Sequence, residues 1–262
     1  MSAVILRNEI VHYEVLGRGR PLIFLHDWVG SWRYWIPTMQ AASISFRTYA
    51  LDLWGFGDTA KILNYYSIEQ QIDLLDEFLT EMGIGKIALI GHGLGAIISL
   101  LYTFRNPRSV DRLMAVSFPY HENALNSRMR SATLSELADW LLGHTPATEA
   151  AWVEAPKADQ QAVSVSLNTL QDIDLPGLPF KLTTPYLLVH GLNDPAVEPP
   201  PAELVSGLPE HAHHILFDGS GHYPMLDEPS KFNRLLTDFL NLSSGESPRQ
   251  LQLKEEWKRR VR

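Results

Sequence analysis

The 262-residue sequence predicts an α/β fold: a doubly wound, mostly parallel eight-stranded sheet with a helical cap inserted after the sixth strand. Three observations predict it. Short apolar runs alternate with segments of helical periodicity, the pattern of strand–helix–strand units. At residues 88–96 an apolar run passes through Gly91, Gly93 and Gly95 into a second apolar stretch at helical spacing, which reads as strand, tight turn and helix. Between residues 120 and 182 buried runs stop and helical spacing takes over.

Taken in order, residues 4–6 and 10–15 read as two short strands around Asn8, the second with alternating character. A turn with Gly17 and Gly19 leads into residues 22–25, a continuous apolar run of the kind buried on both faces of a parallel sheet. It ends at His26-Asp27-Trp28, and a helix begins near Ser31 and runs through Trp35 to Met39. Residues 47–53 form the next strand, and the glycine-bent loop Asp52-x-x-Gly55-x-Gly57 leaves it. Ser67 with Gln70 resembles an N-terminal capping box. It opens an amphipathic helix with Ile68, Ile72, Leu75, Phe78 and Leu79 on one face.

Residues 86–90 feed the glycine turn, and residues 112–116 form a strand stopped by Pro119. The insertion carries Trp140 and Trp152, has Leu134, Leu137 and Leu141 at helical spacing, and closes in a Pro/Gly linker at 174–179. Residues 186–190 resume the sheet, Asn193-Asp194-Pro195 turns beyond them, and a short helix follows residues 199–201. The last strand, 214–217, precedes the loop Gly219-Ser220-Gly221-His222, and Phe232, Leu235, Leu236 and Phe239 line a final helix. The expected boundaries are a core at 1–119 and 183–242, a cap at 120–182, and a linker with a charged tail at 243–262.

Composition narrows the function. A net charge of −8 gives no basic face for nucleic acid. Without cysteine there are no disulfides, thiolate metal sites or cysteine nucleophiles. No apolar run approaches the ~20 residues that span a bilayer. Residues 1–7 lack the pattern of a signal peptide, so a cytoplasmic location is the default expectation.

In a doubly wound sheet the working residues lie at the carboxyl ends of the strands. Distinctive loops follow Leu25, Ile90, His190 and Phe217, and the insertion leaves from the same edge to cover them. With the elbow at Gly91 to Gly95, His26 and Trp28 after the third strand, the Asp52 loop, Gly191-x-x-Asp194 and Gly221-His222, the chain resembles the α/β-hydrolase superfamily over about residues 2–242. The resemblance implies a triad acid at Asp194 and a general base at His222, in the family's order of nucleophile, acid and histidine. A carboxylate on one imidazole nitrogen makes the other a directed base. The oxyanion hole, by the same resemblance, is the backbone N–H groups of Trp28 and Leu94. No cofactor or metal is implied; His211, His213 and His214 form no recognisable ligand set. His92, inside the elbow, reads as a packing residue.

Two positions depart from the family. The elbow pattern G-x-S-x-G has Gly93 where the serine belongs, and loss of a triad serine typically costs about six orders of magnitude in turnover. Glycine also tolerates the strained backbone of that position. The second departure is Asp27, where the family usually has glycine. An ionised carboxylate there would repel a developing oxyanion. Two placements of Asp27 are open: it turns into the space at Gly93 and bonds His222, or it merely caps the helix beginning near Ser31 or bonds loop N–H groups.

The main functional expectation is a hydrolase-fold protein, its ancestral chemistry the hydrolysis of a small ester-like substrate, impaired as a serine hydrolase but keeping a capped pocket for a small, largely apolar molecule. Trp28, Trp54, Trp140 and Trp152 are its candidate lining. The alternative is a non-covalent enzyme, of lyase, water-activating hydrolase or cofactor-free oxygenase type, using His222 and Asp194 as a general-base pair. A third reading makes Asp27 a carboxylate nucleophile toward epoxides or alkyl halides. The tail, with Leu253, Trp257 and Val261 on one stripe and six basic against two acidic residues from Arg249 on, is expected to dock on its own domain or on a partner.

Overall fold

The computed structural model describes residues 2–243 and 245–253. Eight strands form one sheet: β1 (Ser2–Leu6), β2 (Glu9–Gly17), β3 (Arg20–Leu25), β4 (Phe46–Leu51), β5 (Ile87–His92), β6 (Val110–Val116), β7 (Tyr186–Gly191) and β8 (Ala212–Phe217). Their order is β1-β2-β4-β3-β5-β6-β7-β8. β1 and β2 are antiparallel to their neighbours, and β4, β3, β5, β6, β7 and β8 run parallel. Residues 22–25 of β3 and all of β5 and β7 are buried, as unbroken apolar runs between two helical layers must be.

α1 (Ile36–Ala42), α2 (Ile68–Glu81), α3 (Leu94–Arg105), α9 (Ala202–Ser206), α10 (Pro224–Asp227) and α11 (Pro229–Leu240) belong to the core. Between β6 and β7 lie α4 (Arg128–Ser131), α5 (Leu134–Leu141), α6 (Glu149–Glu154), α7 (Gln160–Asn168) and α8 (Leu178–Lys181).

Three local details differ from the sequence reading. The helix expected from Ser31 begins as a 3-10 turn, Trp32–Trp35, capped by the Ser31 hydroxyl, before α1. At α2 the Ser67 hydroxyl accepts from Gln70 N, but the Gln70 side chain turns to Arg7 and Asp73 instead of back to the cap. The reciprocal capping box occurs at α5, between Thr133 and Glu136. The 174–179 linker is also tighter than its composition suggests: Asp174 Oδ1 accepts from Gly177 N and the chain enters α8 directly.

The helices between β6 and β7 pack on the loops that leave β3 and β4. Trp28 Nε1 donates to Ser166 Oγ at 2.9 Å, and the Tyr66 hydroxyl donates to Asp159 at 2.7 Å. Arg33 Nε pairs with the buried Glu154 carboxylate at 2.8 Å, and Lys157 reaches the same oxygen at 2.8 Å. From the tail, Ser247 and Arg249 bond backbone carbonyls at Glu210, Leu208 and Ala212, beside β8. Trp257 and Val261 lie outside the described residues.

Candidate active site

The strand–turn–helix at residues 87–105 presents a backbone elbow at the carboxyl end of β5. Gly93 has φ +50° and ψ −108°, a conformation side chains rarely adopt. The glycine at 95 is a spatial necessity: a Cβ there would stand 2.5 Å from the carbonyl oxygen of Leu25. α3 starts directly after Gly93, so the Leu94 N–H points out of the helix into the site.

A carboxylate fills the place where a side chain at 93 would be. A Cβ built on Gly93 would lie 1.7 Å from Asp27 Oδ1 and 2.4 Å from its Cγ. Oδ1 accepts the Leu94 N–H at 3.1 Å, and Oδ2 meets His222 Nε2 at 3.1 Å and the Val29 N–H at 3.4 Å. Of the two placements left open by the sequence, Asp27 takes the first, turning into the space at Gly93 and meeting His222. From the second it keeps only a loop contact, the Val29 N–H, because the helix near Ser31 is capped by the Ser31 hydroxyl. A negative charge at the N-terminus of α3 is favoured by the orphan N–H and the helix dipole.

The rest of the site holds this carboxylate and the histidine in register. His26 donates from Nδ1 to the Asp27 carbonyl at 2.7 Å and accepts the Leu53 N–H on Nε2 at 3.0 Å, so both ring nitrogens of a neutral imidazole are used. The Tyr34 hydroxyl accepts the Asp27 N–H at 2.8 Å and donates to His92 Nδ1 at 3.0 Å. His92 Nε2 then donates to the His222 carbonyl at 2.8 Å. The Ser117 hydroxyl donates to the same carbonyl, from a residue with φ +48°.

Asp194 completes the row. Its Oδ2 takes His222 Nδ1 at 2.8 Å, while Oδ1 accepts the N–H groups of Ala196 and Val197 at 2.8 and 3.0 Å. His222 therefore lies between two carboxylates, and all three side chains are 0% exposed. Burial alone would drive its proton off, but Asp194 and then Asp27 outweigh burial and hold its pKa up at about 10. Burial likewise works against the Asp27 charge, and the hydrogen bond and charge of His222, helped by the Trp28 N–H, hold its pKa at about 2. At neutral pH the row is carboxylate–imidazolium–carboxylate. The imidazolium donates from both nitrogens and has no lone pair for a proton.

Sequence reasoning brought His222, Asp194, Gly93, Asp27, Trp28 and Leu94 to one end of the sheet, and the structure groups them there. The Leu94 N–H is spent on Asp27, so this donor is not open in this arrangement. Trp28 and Trp54 are fully buried in the core, whereas Trp140 and Trp152 are only partly buried, Trp152 donating to Asp139. Tyr34 and Ser117 were missed. Their contacts to the site cross 58 and 105 residues, and neither sits in a motif that marks it.

His12, Asp52 and Asp58 bring one potential metal-ligand atom each within 4.8 Å of one another. Asp52 is already engaged by His12 Nδ1 and by the N–H groups of Trp32 and Asp58, so the cluster reads as a clasp for its loop.

A family model for the alpha/beta hydrolase family matches residues 22–235. A Yersinia enterocolitica protein provisionally named carbamate hydrolase RutD is 24% identical over 270 residues, 94% of this chain and 97% of that protein. A pimeloyl-acyl-carrier-protein methyl ester esterase of Aliivibrio fischeri is 24% identical over 255 residues, 88% and 97% of the two chains. Among solved structures, a mutant of the N-acyl homoserine lactonase AidH with glycine in place of a serine, complexed with N-hexanoyl homoserine lactone, superposes with a TM-score of 0.79 at 20% identity, covering 91% of this chain and 96% of that one.

Proposed function

The chain belongs to the alpha/beta hydrolase family, and from that premise we propose that it is a member silent as a serine hydrolase, its elbow occupied by Asp27. The observation that carries this reading is the overlap of the Asp27 carboxylate with the position of a side chain at residue 93. The carbamate hydrolase and methyl ester esterase names among the relatives support an ancestral chemistry on small ester-like substrates. Asp194 and His222 are the triad acid and histidine of that ancestry, and Trp28 and Leu94 its oxyanion donors.

In this reading the cap at 120–182 closes a site for a small, largely apolar molecule. Entry needs Trp28 and Arg33 released from the cap and Asp27 turned away from Leu94 and His222. The lactonase mutant bearing glycine for serine was captured with a lactone bound, so a glycine of this kind is compatible with a bound ester-like molecule on this fold. The general-base alternative is weaker here, because His222 Nε2 already carries a proton directed at Asp27.

The test is stopped-flow mixing of the intact chain with p-nitrophenyl acetate and butyrate. The proposal expects no burst of nitrophenol and no dependence of the background rate on His222. A burst lost in His222→Ala would overturn it.

A further inference from the structure

The opposite end of the sheet carries an independent feature. Where β3, β5 and β6 begin, a cavity of about 190 Å³ opens among residues that include Arg20, Pro21, Phe46, Lys86, Asp111, Arg112 and Leu240. β6 is bulged at this point: Ile87 pairs with Val110 but Ala88 with Arg112, which leaves Asp111 over. A bulge re-aims the side chains beside it, and such irregularities concentrate near functional sites.

Arg112 is 8% exposed, and its Nη2 donates to the Leu242 carbonyl. Its buried Nε makes no hydrogen bond. Asp111 Oδ2 stands 3.5 Å from that Nε, and Asp111 Oδ1 is engaged by Lys86 Nζ at 3.1 Å. Arg20 lies at the exposed rim, its guanidinium 5.1 Å over the Phe46 ring and reaching the Leu240 carbonyl at 3.4 Å. Among the described residues no carboxylate pairs with Arg20. Burial pulls the Arg112 pKa below its ordinary value; Asp111 resists, and the charge of Arg20 adds to the fall. Two guanidinium groups therefore line one cavity with one carboxylate, Asp111, which Lys86 also engages.

We propose that this cavity binds an oxyanion carried on a short apolar body, the oxyanion held by Arg20 and Arg112 and the body packed on Pro21, Phe46 and Leu240. Guanidinium groups suit planar and tetrahedral oxyanions alike. The site is separate from the elbow, at the other end of the same strands.

The experiment is isothermal titration calorimetry of the full chain with hexanoate, inorganic phosphate and hexanol. Hexanoate is expected to bind, less tightly as salt rises; phosphate binds more weakly for want of a body; hexanol, with the body but no charge, does not bind. Arg20→Gln weakens hexanoate at least about tenfold. Arg105→Gln, at an exposed arginine paired with Glu69, leaves it unchanged. Arg112→Gln also releases the Leu242 carbonyl and endangers folding, so the rim variant decides. No heat from either anion, hexanol binding as well as hexanoate, or unchanged affinity in Arg20→Gln overturns the proposal.

Discussion

Placing a serine at position 93 by itself is expected to break the site. A Cβ there stands 1.7 Å from Asp27 Oδ1, and real Cβ contacts hardly occur below 3.0 Å, so the carboxylate must leave. It then loses the Leu94 N–H and His222 Nε2, both at 3.1 Å. Two charge-assisted bonds at about 1.5–3 kcal/mol each put the cost of Gly93→Ser on the order of 3–6 kcal/mol at neutral pH. Asp27→Gly alone leaves His222 with a single carboxylate and also destabilises, by about 3–5 kcal/mol if the whole buried pair is lost. Together the two changes remove each other's clash, so the double variant should be more stable than additivity allows by about 2 kcal/mol. It also frees the Leu94 N–H and gives the serine its histidine. Urea unfolding followed by tryptophan fluorescence reads the coupling, and p-nitrophenyl butyrate reads the chemistry. The double variant should turn over at least about a hundredfold faster than either single one, a small part of the roughly million-fold a triad serine is worth. Gly93→Ser with parental stability, or additive losses in the double variant, would refute the reasoning.

The pH dependence of stability follows from the same groups. His222 is raised from 6.5 to about 10, so its contribution is full below pH 6.5 and is lost as pH rises through 10. Asp27 is lowered from 3.8 to about 2, so its contribution is present above pH 3.8 and is lost as pH falls through 2. Urea midpoints should therefore be level between pH 3.8 and 6.5 and fall on either side, and Asp27→Asn should shorten the alkaline fall; superimposable profiles for the two proteins would contradict this. Glu154→Gln removes the anion shared by Arg33 and Lys157 and should raise amide hydrogen exchange in α6 and α7 while leaving the sheet protected. Thr133→Ala takes away the reciprocal cap of α5 and should cost about 1 kcal/mol in denaturation experiments. Leu137→Ala, at a fully buried position in that helix, should cost about 2–5 kcal/mol.

Most of the strands were legible as short apolar runs bounded by turn residues and β2 by its alternation, and the elbow because its glycines have no other economical use. Gly93 and Asp27 stood out against the residue pattern of the family, and the backbone elbow made their proximity a matter of strand order. What the sequence concealed were contacts with no local signature. The Ser67 cap was half right because Gln70 found Arg7, 63 residues away. Tyr34 and His92, joining Asp27 to the His222 carbonyl, are a hydrogen-bonded chain assembled only after β3 and β5 pair. The oxyanion donors were identifiable by position, but a carboxylate resting on them is a fact of side-chain rotation. The bulge at Asp111 and the placing of Arg112 beside it belong to the same class, since neither changes the apolar pattern of β6.

The central claim is that His222 is an imidazolium clamped between Asp194 and Asp27 in the space a serine would occupy. Nitrogen-15 NMR of histidine-labelled protein tests it directly. Both ring nitrogens of His222 should be protonated at neutral pH, with titration near 10 and a lower pKa in Asp27→Asn. A His222 ring that titrates near its ordinary value of 6.5, unchanged by Asp27→Asn, would contradict it.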